Sequence, residues 1–469
     1  MTKRLLKLMM FMAFAIFVCT PMLLAQDDGG GGGDDGGADA GNVGGVEIDA
    51  KGVFQSRALI DNSGVLDRQR FKAAQAALND DIKKPSKFRK VSINRMEAEI
   101  AKLKKAGKPI PPEMSYMAGL TRITHVFYFP ETKDVVIAGP AEGFYLNGGN
   151  YVVGMKTGAP VLQLQDMVVA LRTFGPDGKS PKVLSCSIDP TQKGLQQLKQ
   201  AYGYAQRQNF QAGDGQAVMD LFRNALGMQT ITVKGVSPKT HFAQVLVDAD
   251  YHMKLIGIGL ERPPVRITSF IEKASPTAVS KNSLQRWYFQ PDYDYVRVSP
   301  DETAMALEGG GVKLVGEDER VGAGGVRTGT GKANRASTGF CRSFTKMYEA
   351  LSKKAPLYAE LRNLIDMSVA AAFIQEMDFY GEANWDLKVF GSEQAFPVEN
   401  YNAPTQVAPA INAVWKGRYF MTPIGGGVHI QPRAALQSNT MKVDESGNVE
   451  KAKKEVQPEK LANGQWWWD

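Results

Sequence analysis

Cysteine and histidine are scarce in this sequence: it has 3 and 4 of them among 469 residues. Cys19 lies in an apolar stretch at the start, which leaves Cys186 and Cys341. Two cysteines allow one bridge at most, so a disulfide framework is excluded and the fold rests on its apolar core. The histidines are His125, His241, His252 and His429, and none sits in an HExxH zinc helix. The GxSxG turn that presents a hydrolase nucleophile is also missing. "GVRTGTGKAN", residues 325–334, lacks two parts of a nucleotide-binding loop. Val326 replaces its first glycine, and Ala333 replaces the hydroxyl that would hold magnesium. No repeat at solenoid or propeller spacing occurs, and no nucleic-acid module signature is present. Beyond the first 25 residues no apolar run is long enough to span a bilayer.

What the chain does have at its start is a basic, then apolar, then small-residue succession. Lys3, Arg4 and Lys7 open residues 5–24, an apolar run interrupted by Pro21 and followed by Ala25. This pattern predicts a secretory signal peptide over 1–25 that is cleaved rather than kept as an anchor. A lipid on Cys19 is rejected, because Ile16, Phe17 and Val18 stand where small residues are needed. Residues 26–45 are almost all glycine and aspartate. Glycine has the largest backbone entropy to lose, nothing apolar offsets that loss, and the aspartates repel one another, so this is an expected flexible tether. A calcium-binding repeat would need an apolar residue at a fixed position, and there is none.

The formal net charge is +7; the first segment carries three positive charges and the tether five negative ones, leaving +9 on the rest. The excess is spread along the chain, with lysine-rich clusters at 83–90 and 102–108. A diffuse positive excess suits an acidic surface or lipid headgroups. The expected location is outside the cytoplasm: periplasm, cell envelope or extracellular space.

Patterning divides the remainder. Residues 46–115 read as a helical region, with Phe71, Ala74, Leu78 and Ile82 at helical spacing and Asn94 with Glu97 as a capping pair. Residues 116–280 alternate strands and helices, beginning with a hairpin whose turn is 130–133, and predict a mixed sheet with packed helices. Within them "SPKTHFAQVLVDADYHMKLI" is an amphipathic helix with Phe242, Val245, Leu246, Ala249 and Met253 on one face. Residues 281–440 read as a β-meander, a flexible insertion at 321–339, and two helices, the second with Pro356 in its first turn and a broad apolar stripe of Leu361, Leu364, Ile365, Val369, Ala372 and Phe373 that predicts a core helix. Residues 441–469 are charged and poor in apolar side chains, an expected disordered tail ending Trp-Trp-Trp-Asp. The fold class is α+β: a mixed sheet with packed helices, then a β-rich region with a helical pair.

Five phrases form a distinctive set: "LTRITHVFYFPETKDVVIAGPAEGF", "SCSIDPTQKGL", "HFAQVLVDADYHMK", "ELRNLIDMSVAAAFI" and "GGGVHIQP". Together they resemble a family of secreted proteins of planctomycete bacteria that carries a domain of unknown function. The resemblance spans most of the chain after the tether. It implies an exported protein and brings no catalytic or binding residue with it.

The candidate chemistry is correspondingly thin. Glu142 and Asp189 each follow a predicted strand, where open sheets place ligands, and a carboxylate pair can divide acid and base roles. The competing reading makes Asp189 a helix N-cap ahead of Pro190 and Glu142 an ordinary turn residue. Asp248 and His252, four apart on one helical face, supply half a metal site or a surface pair, and the surface pair is preferred. Trp287, Tyr288, Phe289, Tyr293 and Tyr295 form an aromatic cluster read as cross-strand packing. Trp466, Trp467 and Trp468 are candidate contact residues, docking on the domain or anchoring on a partner or membrane interface. No cofactor and no metal is assigned. The expected function is a non-catalytic binding or scaffolding protein of the envelope, with an envelope protein or polysaccharide as partner. The alternative is a hydrolase of envelope or extracellular polymers using Glu142 and Asp189.

Overall fold

Continuous apolar runs in "HVFYF" and "DVVIAG", buried on both faces, build the expected hairpin, His125–Phe129 against Asp134–Ala141. Lys133 takes the left-handed conformation in its turn (φ 57°). In the computed structural model the described residues are 44–57, 61–274, 283–321, 327–412, 414–416, 419–421, 427–437 and 439–469. They belong to one compact unit, Ala40–Asp469. The signal peptide and all but the last two residues of the tether lie outside the described residues.

The fold is α+β, as expected, but its sheets are drawn from the whole chain. A nine-stranded mixed sheet runs in the order Val46–Ile48, Val53–Ser56, Gln406–Val407, Gln229–Lys234, Leu184–Pro190, Gly427–Ile430, Ser283–Asp292, Gly311–Val321 and Arg327–Gly329. A seven-stranded sheet runs Met441–Val443, Tyr295–Val298, Ala304–Glu308, His125–Phe129, Asp134–Ala141, Ser86–Ser92 and Trp467–Trp468. The expected boundary at 280 therefore separates nothing, since both sheets take strands from either side of it. The expected meander is divided as well. Ser283–Asp292 pairs with Gly311–Val321 in the large sheet, while Tyr295–Val298 and Ala304–Glu308 join the small one.

Three further expectations are corrected. The N-terminal region holds the helices Val65–Ala77 and Ile93–Lys105 but also three strands, among them Ser86–Ser92 inside the lysine cluster. Asn94 and Glu97 do not form a cap. Asn94 accepts from the Val135 amide, and buried Glu97 accepts from the Val389 and Phe390 amides and the Trp385 indole. Of the stretch at 321–339, residues 322–326 lie outside the described residues, and the rest carries the strand Arg327–Gly329 and the start of the helix Arg335–Ser352; residues 441–469 are ordered in strand, helix and strand.

Two helices carry the centre. Thr240 caps His241–Gly257 by accepting from the Ala243 amide, and the helix is buried on nearly every side. It lies so close to the large sheet that a Cβ on Gly257 would run into the Trp287 ring. Pro356 opens Pro356–Glu376, whose apolar residues are buried as the stripe predicted. Its Asp366 receives Arg122 at 2.8 Å and the Tyr293 hydroxyl at 2.7 Å, tying the helix to segments that lead into the small sheet. Trp287, Phe289 and Tyr293 of the aromatic cluster are buried in the core.

Candidate functional site

Helical spacing places His241, Gln244, Asp248 and His252 along one face of the His241–Gly257 helix, because offsets of 3, 7 and 11 residues return close to the same direction. This face carries a buried polar row through the core. At its upper end His241 Nδ1 lies 2.9 and 3.0 Å from the carboxylate of Asp166, which the Leu164–Thr173 helix supplies. His241 Nε2 lies 3.1 Å from the Gln163 side-chain amide. Burial pulls His241 towards the neutral form, but the charge and hydrogen bond of Asp166 outweigh it and raise its pKa. Glu360, from the Pro356–Glu376 helix, completes this end. Burial pushes its carboxyl up to about 7 against the opposing pull of His241, and its Oε2 has no hydrogen-bond partner among the described residues.

At the lower end His252 joins three segments. Its Nδ1 bonds the carboxylate of Glu261, its Nε2 lies 2.8 Å from the Ser56 hydroxyl, and Asp248 Oδ1 lies 3.4 Å from the same Nε2. Ser56, His252 and Glu261 have the connectivity of a hydrolytic triad: hydroxyl, imidazole, carboxylate. Their electrostatics are different. A base that takes a serine proton must be neutral, with a free lone pair on Nε2. Here burial disfavours the charged ring, yet the hydrogen bonds and charges of Asp248 and Glu261 prevail and push His252 up to about 10. At neutral pH the ring is an imidazolium that donates from both nitrogens. Ser56 then accepts a hydrogen bond from His252 and has no base. The cluster works as a clasp between an outer strand, the central helix and the segment that follows it.

The residues singled out from sequence fall in separate places. Glu142 is buried and accepts from the Lys156 and Thr157 amides and the Thr157 hydroxyl, so its carboxylate organises the 155–158 turn. Asp189 lies within the strand Leu184–Pro190, opposite Thr230; the cap of the following helix is Thr191, which accepts from the Gly194 amide. Glu142 and Asp189 thus belong to different sheets' surroundings, and the first is committed to a turn. Asp248 and His252 do pair, but Asp248 is only 2% exposed, so this is a buried pair and not a surface one. Among the described residues no group of three or more His, Cys, Asp or Glu has a metal-holding arrangement. Trp466, Trp467 and Trp468 lie on the chain's own small sheet. Cys186 and Cys341 are free and buried, with burial pushing both thiols up, Cys341 to about 12.

Sequence reasoning missed His241, Asp166, Glu360, Ser56 and Glu261. The periodicity of the helix could have added His241 to Asp248 and His252. The partners on other elements left no local signal. A surface cleft of about 580 Å³, lined by residues that include Arg172, Lys179, Ser237, Thr240 and Glu399, takes no member of the row. Arg172 is engaged there by Glu393 and the carbonyls of Phe390, Ser392 and Phe396.

Comparison with curated proteins and with solved structures found no match. Residues 186–270, the stretch that contains His241, Asp248, His252 and Glu261, match the family described as "Protein of unknown function (DUF1598)".

Proposed function

We propose that this chain is an exported, non-catalytic binding or scaffolding protein of the cell envelope, of planctomycete origin. The observation that carries the non-catalytic reading is the state of His252. Two carboxylates, Asp248 and Glu261, hold it as a cation, so Ser56, beside it in a triad-like arrangement, has no base. The basic-apolar-small amino terminus supports export, and the sequence phrases support the origin. A surface for an acidic envelope polymer is available at the end of the Ile93–Lys105 helix, where Lys104, Lys105 and Lys108 are exposed. The test is co-sedimentation of the purified protein with isolated envelopes across a salt series. Binding that weakens as salt rises, and that falls when the three lysines become glutamine, is the expected result. Failure to sediment at low salt would remove this reading.

A second reading has one specific observation behind it. Ser56 Oγ lies 2.8 Å from His252 Nε2, within reach for proton transfer if the ring were neutral. Ser56 would then attack an ester carbonyl while His252 takes the hydroxyl proton and returns it to the departing alcohol, and water would hydrolyse the acyl-serine to a carboxylic acid and free Ser56. A fluorophosphonate probe decides between the two readings. Labelling that disappears in Ser56→Ala selects the hydrolase; an unlabelled wild-type chain selects the binding protein.

A further inference from the structure

The small sheet has an unusual closure. Both of its edge strands, Met441–Val443 and Trp467–Trp468, come from one stretch at the carboxyl end of the chain. The helix Asn448–Lys454 lies between them in sequence, and it covers the sheet's outer face. There Phe88, Phe127, Phe129, Val136, Ala138, Ala304 and Ala306 form an apolar cluster separate from the main core. Every member of that cluster outside the sheet's inner five strands comes from this stretch: Val449, Ala452, Val456 and Trp468.

The far end of the strap sits in a seat made by the body of the protein. Trp467 opposes Val91 and Trp468 opposes Lys90, and the Ser92 amide donates to the Trp466 carbonyl at 2.8 Å. Trp466 enters the main core while Trp468 packs on the outer cluster. Arg89, fully buried, forms the polar end of the seat. The carbonyls of Asp81, Ile82, Lys84 and Ala118 accept from its Nη1 and Nη2, all four within 3.1 Å. Those bonds fix the guanidinium without help from the tail. The remaining edge meets Asp469 as a fork, Nε to Oδ1 at 2.8 Å and Nη2 to Oδ2 at 2.9 Å, and the same guanidinium lies over the Trp467 ring at 4.8 Å. The seat therefore recognises an extended strand by its backbone, by aromatic side chains on both faces and by a carboxylate at a fixed distance.

We propose that this seat is a receptor for the Trp-Trp-Asp strand, filled here by the chain's own tail and able to take the tail of a second copy. The element that would cross over is short, and residues 462–465 ahead of it are exposed, with Gly464 in the left-handed conformation (φ 83°). Reciprocal exchange between two copies keeps every contact of the seat and needs a change only in that connector. The proposal is independent of what the envelope-binding surface recognises.

The test uses the full chain in three forms: wild type, Asp469→Ala, and Trp467→Ala combined with Asp469→Ala. A fluorescent peptide of residues 463–469 is titrated into each. The expected result is saturable binding to the double variant and binding weaker by at least about tenfold to wild type, where the resident tail competes. A peptide carrying Asp469→Ala should bind the double variant about tenfold more weakly, because a bidentate charged contact is lost. Sedimentation velocity of the wild type over rising concentration should show a monomer–dimer equilibrium that the double variant lacks. Absence of saturable peptide binding to a variant that still melts cooperatively overturns the receptor. A wild type that stays monomeric at the highest concentration overturns the second copy as its occupant. If the double variant does not melt cooperatively, Asp469→Ala alone, which keeps the rings, gives the same decision.

Discussion

The polar row in the core and the strap over the small sheet tie distant parts of the chain together by opposite means. The row uses imidazole–carboxylate contacts: His241 with Asp166, and His252 with Asp248 and Glu261. The strap uses backbone pairing, aromatic rings and one buried cation. The difference teaches where pH acts. Protonation reaches the row near neutral and alkaline pH, whereas the strap rests on apolar area and on the Asp469 carboxylate, which, against the opposing effect of burial, Arg89 holds below the usual carboxylate range.

One deletion and five substitutions sharpen this contrast. Deleting residues 441–469 should have the largest effect, because it uncovers the outer aromatic face and both sheet edges at once. Loss of a cooperative melt and strong binding of a hydrophobic dye are expected. Arg89→Ala comes next, at about 3–5 kcal/mol in urea unfolding, since it strands four carbonyls and the Asp469 carboxylate. Arg89→Lys should recover little of this, because a single ammonium cannot replace the fork.

Within the row the effects depend on pH, with opposite signs for its two kinds of group. His252 titrates near 10 in the folded chain and near 6.5 as an ordinary histidine. Its contribution is complete below about pH 6.5 and fades as pH rises through 10. His252→Gln should therefore destabilise by on the order of 2–3 kcal/mol at pH 6 and by much less at pH 10. Glu360 is raised from 4.5 to about 7, so ionising it weighs against the folded state. Glu360→Gln should stabilise by on the order of 2 kcal/mol at pH 8 and have little effect below pH 4.5. Chemical denaturation at several pH values measures both. Ser56→Ala should be smallest, within about 1 kcal/mol, because the imidazolium keeps both carboxylates. A larger loss would show that the hydroxyl is essential to the clasp.

The legible parts of this molecule are those with local signals. The turn at 130–133, the Pro356 helix start and the apolar stripe from Leu361 to Phe373 all appear where the chain pattern puts them. Ser86–Ser92 was hidden because "SKFRKVS" carries three cations, yet Arg89 is buried by carbonyls that no local pattern announces. The split of residues 283–321 between two sheets depends on partners as distant as Val428 and Phe127, so an unbroken series of strand signals read as one meander. The tail looked too polar to fold by itself. Val449, Val456 and the three tryptophans suffice because the surface that they complete is already apolar. The row was half visible for the same reason: Asp248 and His252 share a helix, whereas Asp166, Glu360, Glu261 and Ser56 arrive from elsewhere.

The order of strands in the small sheet also sets a timetable. Its five inner strands lie between residues 86 and 308, and both flanking ones lie beyond 440. A chain threaded amino end first, through a ribosome or a translocation pore, delivers the interior of that sheet well before its borders. Until the remaining stretch emerges, two bare hydrogen-bonding rims and an aromatic surface stay open to the surroundings, and that interval is when a holding chaperone has most to protect.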